Sequence, residues 1–162
     1  MNDKTIYILN FIAILGTGLI AGVFLAFSSF IMSAFGRLSP ANGISAMQMI
    51  NVTVINPLFM SVLFGTAAIC LGLVFASFRT GLGASNQLLL AGATLYLLGA
   101  IGVTMVFNVP LNDGLATVDA TNPNSITVWT NYLQSWTFWN SVRGLAACAA
   151  CAMFVRAINI QA

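Results

Sequence analysis

The chain has 162 residues, of which 59% are hydrophobic and 5% charged. It carries a net charge of +2 and no histidine, and its mean hydropathy is +0.96. Soluble domains carry about 25% charged residues, so water is not the main solvent of this protein. Five scattered cations without a basic run also exclude nucleic acid as a partner.

About 20 consecutive apolar residues cross a hydrocarbon core as a helix, and only helices or closed barrels satisfy the backbone there. Four stretches reach that length, at about residues 6–34, 57–78, 87–107 and 136–158. The alternating strands of roughly ten residues that build membrane barrels are absent. The expected fold is therefore all-α: a single domain over residues 1–162 forming a four-transmembrane-helix bundle, with helices two and four extending beyond the membrane on one side. The first apolar run outlasts the ~7–15 residue core of a signal peptide and is read as a span.

In chain order, Gly18-x-x-x-Gly22 with Ala26 predicts a small-residue face for close helix approach, with Phe24, Phe27 and Ser28 on the opposite side. Ser39-Pro40 reads as an N-cap followed by proline at the first helical position. Ile44, Met47, Ile50 and Val54 then recur at helical spacing, leaving Ser45, Gln48 and Asn51 for polar contacts. Asn56-Pro57 predicts a kink at the entry to the second span, since proline removes a donor and restricts its neighbour. Arg79 to Ser85 forms a short turn in which Ser85 caps the third span, and that span is expected to end at Pro110. Asn122-Pro123 repeats the cap-and-proline signature and starts the fourth helix near Pro123. Cys148-x-x-Cys151 has redox or metal spacing, but within a run of alanines with no acid or histidine nearby it reads as packing, and no metal site is expected.

An even number of spans puts both termini on one side, together with Lys4, Arg79 and Arg156. Arg37 and Arg143 lie on the other, with Asp113 and Asp119. The positive-inside rule then places the termini in the cytoplasm and the other ends outside it.

On that outer side the chain concentrates its chemistry. Trp129, Tyr132, Trp136, Trp139 or Asn140, and Arg143 fall on one stripe of a helix. The topology brings Ser28, Asn51, Asn56, Asn108, Asn112 and Asp113 to the same end, with Phe27, Trp136 and Trp139 as walls. Arg143 sits about one turn inside the fourth span, where an unpaired cation costs about 2.5–3.5 kcal/mol on insertion scales. Asp113 is its expected partner. The amides and indoles would suit a planar aromatic ligand with oxygen atoms at its edge. The same tryptophans also read as an aromatic belt, with Arg143 snorkelling to headgroups.

Phe107-Asn-Val-Pro-Leu-Asn-Asp113 and Trp136-Thr-Phe-Trp-Asn-Ser-Val-Arg143 resemble the paired motifs of the anthrone oxygenase-like integral membrane family. The likeness extends to Gly18–Ser28, Ala46–Asn51 and Asn56-Pro57. This resemblance implies four transmembrane helices. For some members it also implies oxidation of a polyketide anthrone to an anthraquinone by dioxygen, without bound metal or flavin. Members often read Trp-Asn-His-Val-Arg, where this chain has Ser141. In the roles that follow, the ligand stacks among Phe27, Trp136 and Trp139. Asp113 removes the benzylic proton, and Arg143 and Asn140 stabilise the developing oxyanion. Competing readings are a quinone- or lipid-binding subunit of a larger membrane complex and a purely structural protein stapled by Arg143 and Asp113. A channel or transporter is disfavoured by the lack of intramembrane acid or histidine relays. Membrane lipids and an aromatic molecule or quinone are the expected partners, and a second copy of the chain or other complex subunits are compatible with them.

Overall fold

The computed structural model describes residues 3–81 and 83–161. Leu82 of the Arg79–Ser85 turn lies outside the described residues. Among the described residues every regular element is helical: α1 (Asp3–Phe35), α2 (Pro40–Thr53), α3 (Pro57–Thr80), α4 (Ala84–Ala116) and α5 (Ser125–Gln161). The four long ones, α1, α3, α4 and α5, are long and apolar enough to cross a membrane. They form a closed ring in which α1 packs on α3 and α5, and α4 packs on the same two helices. The 37 residues of α5 rise roughly 55 Å at ~1.5 Å per residue, well beyond a ~30 Å hydrocarbon core.

Local chemistry accounts for the breaks, several of which differ from the sequence expectations. Ser39 caps α2 as expected, accepting from the Asn42 N–H at 3.4 Å. At Asn56-Pro57 the chain breaks rather than kinks. Asn56 turns extended, accepts from the Phe59 N–H at 3.0 Å and donates to the Thr53 carbonyl at 3.1 Å, so it closes α2 and opens α3. Ser85 is not the cap of α4, which begins at Ala84; its hydroxyl reaches the Ala157 carbonyl of α5 instead. Pro110 does not end α4. Having no N–H to donate, it is absorbed by a widened π turn at Thr104–Asn108, in which the Val109 N–H bonds the Thr104 carbonyl, and the helix continues to Ala116. α1 contains a similar π turn at Phe27–Ile31, at the same end of the bundle. The fourth helix starts at Ser125, two residues past Pro123. Before it, the Thr121 hydroxyl and amide bond Asp119 and hold its exposed carboxyl below the usual range.

Two apolar clusters result. The larger is an alanine-rich seam through the bundle that includes Ala13, Ala67, Ala93, Ala147 and Ala150 with Tyr96 and Phe154. The smaller forms a head at the far end, where Met32, Ile44, Met47 and Leu115 pack on Trp129, Tyr132 and Trp136. Gln48 ties this head together by donating to the Leu115 and Val118 carbonyls, both at 2.9 Å. Close approach does not use Gly18 and Gly22, which are exposed and meet little or nothing. It uses Gly16 against Thr66, Gly92 against Phe154, Gly99 against Ala146 and Gly43 against the Trp129 ring. The cysteines are free: Cys70 is buried, Cys151 donates to the Ile14 carbonyl and Cys148 is exposed.

Gly99→Val pushes a side chain into Ala146, which has no rotamer to give, and is expected to lower stability by about 1–3 kcal/mol. Gly22→Ala, with nothing within 4 Å, leaves stability unchanged or slightly higher. Thermal unfolding of both variants in the same detergent checks the contrast.

Candidate functional site

Between the seam and the head lies a cavity of about 250 Å³. Phe24 and Phe27 of α1 and Trp136 of α5 give it flat aromatic walls. Met47 and Ile50 of α2 and Leu63 of α3 are among the other apolar residues that line it. Its polar lining is Asn51, Thr104, Asn112, Asn140 and Arg143.

The centre is Arg143, 6% exposed. Its Nη2 donates to Asn140 Oδ1 at 2.7 Å and its Nη1 to Thr104 Oγ1 at 3.1 Å. Its Cζ stands 4.2 Å from the Phe24 ring centroid and 5.3 Å from that of Trp136. Two charge-assisted hydrogen bonds at about 1.5–3 kcal/mol each, with cation–π contacts approaching ~2 kcal/mol when desolvated, offset the insertion penalty without a carboxylate. Asn140 is fully buried and acts as the clamp. Its Nδ2 donates to the Phe24 carbonyl at 2.7 Å and to Ser28 Oγ at 2.6 Å, which fixes its oxygen toward Arg143. The Ser28 and Ser141 hydroxyls share a 2.9 Å hydrogen bond, and Ser141 also donates to the Thr137 carbonyl at 2.8 Å.

Asn112 organises the upper wall. Its Oδ1 accepts from Tyr132 Oη and from Trp136 Nε1, each at 2.8 Å. Asn108, buried behind it, donates to the Trp136 carbonyl at 3.2 Å. The helical stripe thus turns inward as its spacing requires, with Trp129, Tyr132, Trp136, Asn140 and Arg143 all buried.

Of the residues expected at the site, Phe27, Asn51, Asn112, Trp136, Asn140 and Arg143 line the cavity, while Ser28 and Asn108 brace it from behind. Three lie elsewhere. Asn56 is the exposed cap of α3. Trp139 stacks on Phe107 with centroids 3.6 Å apart. One residue before Asn140, it is swung about 100° around the helix from the inward stripe. Asp113 is exposed near the end of α4 and is not the partner of Arg143, because the helix runs on through Pro110 instead of bending back. Two further residues take part in the site, neither of them among those expected there. Phe24 supplies both a ring and a carbonyl, and it precedes Phe27 and Ser28 by three and four residues. Thr104 precedes Asn108 by four, the spacing that shares a helix face.

A family model described as anthrone oxygenase matches residues 58–153, which is more than half of the chain. No curated protein and no solved structure matches it. The matched segment takes in α4, the cavity-forming part of α5 and nearly all of α3, and so includes Thr104, Asn112, Trp136, Asn140 and Arg143. The chain belongs to the anthrone oxygenase family.

Proposed function

We propose that this protein is a membrane-embedded oxygenase acting on a planar aromatic substrate of the anthrone type. Dioxygen is the co-substrate, and the substrate itself is the electron donor, so the reaction draws on no bound metal or flavin. The observation that carries the reading is the pairing of flat walls (Phe24, Phe27, Trp136) with one buried guanidinium in a single small cavity.

An anthrone carries a methylene between two rings, opposite a carbonyl. Loss of one methylene proton gives a carbanion whose charge is delocalised onto the carbonyl oxygen. That oxygen is suited to Arg143, which Asn140 and Thr104 hold in place before the ligand arrives, and preorganised donors of this kind are often the largest catalytic term. One electron passes from the carbanion to dioxygen, and the radical pair couples to a peroxide at the former methylene carbon. Loss of the second C–H proton with O–O cleavage releases water and leaves a carbonyl. In balance, CH2 and O2 become C=O and H2O.

One observation favours a second reading, a quinone-holding subunit of a larger membrane complex: no aspartate, glutamate or histidine lines the cavity. Turnover separates the two. Purified protein is expected to consume an anthrone and dioxygen in equal amounts and to stop when oxygen is removed, whereas a quinone holder consumes neither.

Arg143→Leu is expected to lower kcat by about 10²–10³, the range for losing one oxyanion donor. Asp113→Asn, an exposed change, keeps kcat within about two-fold. Equal loss in both variants would return the aspartate to the mechanism. Asn112→Leu strips the Tyr132 hydroxyl and Trp136 indole of their shared acceptor. It is expected to destabilise the head by about 1–3 kcal/mol and to raise KM more than it lowers kcat, as steady-state kinetics and a melting curve would show.

A further inference from the structure

We infer that the cavity takes its aromatic ligand as a preformed anion, a phenolate or enolate whose charged oxygen supplies the counter-charge that Arg143 lacks. The inference rests on the reading above and deepens it, because it places proton loss before binding rather than within the site.

The first ground is charge. The chain has three acidic side chains, Asp3, Asp113 and Asp119, and all three are exposed. Both hydrogen bonds of Arg143 go to neutral oxygens, and its ring contacts are neutral as well. A buried cation thus faces the cavity with no formal negative charge beside it.

The second ground is unmatched donors. A guanidinium carries five N–H groups, and the buried Nε of Arg143 has no acceptor. Asn51 Nδ2 on α2, which also lines the cavity, is likewise buried and has no well-formed hydrogen bond among the described residues, although the Asn51 side chain lies beside Tyr132. Buried N–H groups are nearly always satisfied. Both of these lie on one cavity wall or another and both are donors, so the missing partner is an acceptor.

The third ground is the lack of a base. Among titratable groups, α5 presents Tyr132 on the same stripe. Tyr96 of α4 and Cys70 of α3 sit deeper in the apolar seam. α1 has none between Tyr7 and its end at Phe35, and α2 has none at all. A phenol or a thiol ordinarily keeps its proton at neutral pH and is then no proton acceptor. A ligand with an acidic O–H or C–H is therefore selected in its ionised form, and the guanidinium lowers the ligand's own pKa on binding.

A hydroxyanthraquinone such as 1,2-dihydroxyanthraquinone tests this, because its visible absorption moves to longer wavelength on ionisation. Its 1,2-di-O-methyl ether, with no hydroxyl left, serves as the control that cannot ionise. Purified protein in neutral detergent is titrated with dye about one pH unit below the dye's pKa in that detergent. The expected result is an anion spectrum for bound dye, with its apparent acid dissociation constant raised at least tenfold. Arg143→Gln should abolish the shift, Asn51→Leu should reduce it, and the ether should bind weakly with no pH dependence. A neutral spectrum for dye bound to the wild type, or a shift that survives Arg143→Gln, overturns the inference and leaves the aromatic site standing. Failure of both dye and ether to bind overturns the aromatic reading along with it. The wild-type spectrum decides the matter even where Arg143→Gln does not fold.

Discussion

A guanidinium held among hydrocarbon side chains is the constraint around which the cavity-bearing half of this molecule is arranged. Left alone, it would snorkel along the helix toward water. It is kept inside because Asn140, one turn earlier, offers its oxygen while its nitrogen is fastened to α1 at Phe24 and Ser28. α4 supplies Thr104, and the rings of Phe24 and Trp136 cover the faces of the cation. Three helices therefore meet at one charge. Removing any of these contacts exposes the same penalty, so the site and the packing of the bundle are coupled.

The π turns at Phe27–Ile31 and at Thr104–Asn108, the second preceded in α4 by a longer π stretch at Leu95–Gly102, make that meeting geometrically feasible. A helix that widens by one residue rotates everything after it relative to everything before. In α1 the widening at Phe27–Ile31 lies where Phe24, Phe27 and Ser28 face α5. In α4 it spans Thr104 to Asn108, whose side chains reach Arg143 and the Trp136 carbonyl respectively. Both lie at the level of the cavity. Beyond it, the head of Ile44, Met47, Leu115, Trp129 and Tyr132 closes the end of the bundle. Gly43, where an added Cβ would come within 2.6 Å of the Trp129 ring, lets α2 settle onto that head.

The four long helices and the inward stripe of α5 were legible because both depend on local signals: run length in an apolar chain and a 3.6-residue period. The cap at Ser39 was legible for the same reason, whereas Asn56, read as the site of a kink, closes one helix and caps the next. What escaped was set by tertiary context. Whether Pro110 breaks a helix or is absorbed by a wider turn depends on what satisfies the freed carbonyls, and that choice decided the direction of Asp113. Whether Gly18 and Gly22 or Gly16 marks the close approach depends on which side of α1 meets a neighbour, and a 24-residue stretch that is oily all round gives little hint of it. Trp139 and Asn140 competed for one place on the stripe, and the residue with two amide contacts to α1 took it.

Position 141 follows from the same geometry. Ser141 does not touch the cavity. It lines a separate groove between α1 and α5, beside Ser28, Ser33 and Thr137. Its route to Arg143 runs through Ser28 and then Asn140, a line of hydrogen bonds at 2.9, 2.6 and 2.7 Å. A side chain at 141 therefore acts on the guanidinium by fixing Asn140 rather than by meeting a ligand beside Arg143. Serine suffices for that task, since one hydroxyl reaches Ser28 while remaining anchored to the Thr137 carbonyl. Ser141 thus stands behind the site and not in its wall. The residues that face the cavity on either side of it are Asn140 and Arg143, so what occupies position 141 reaches a ligand only through them.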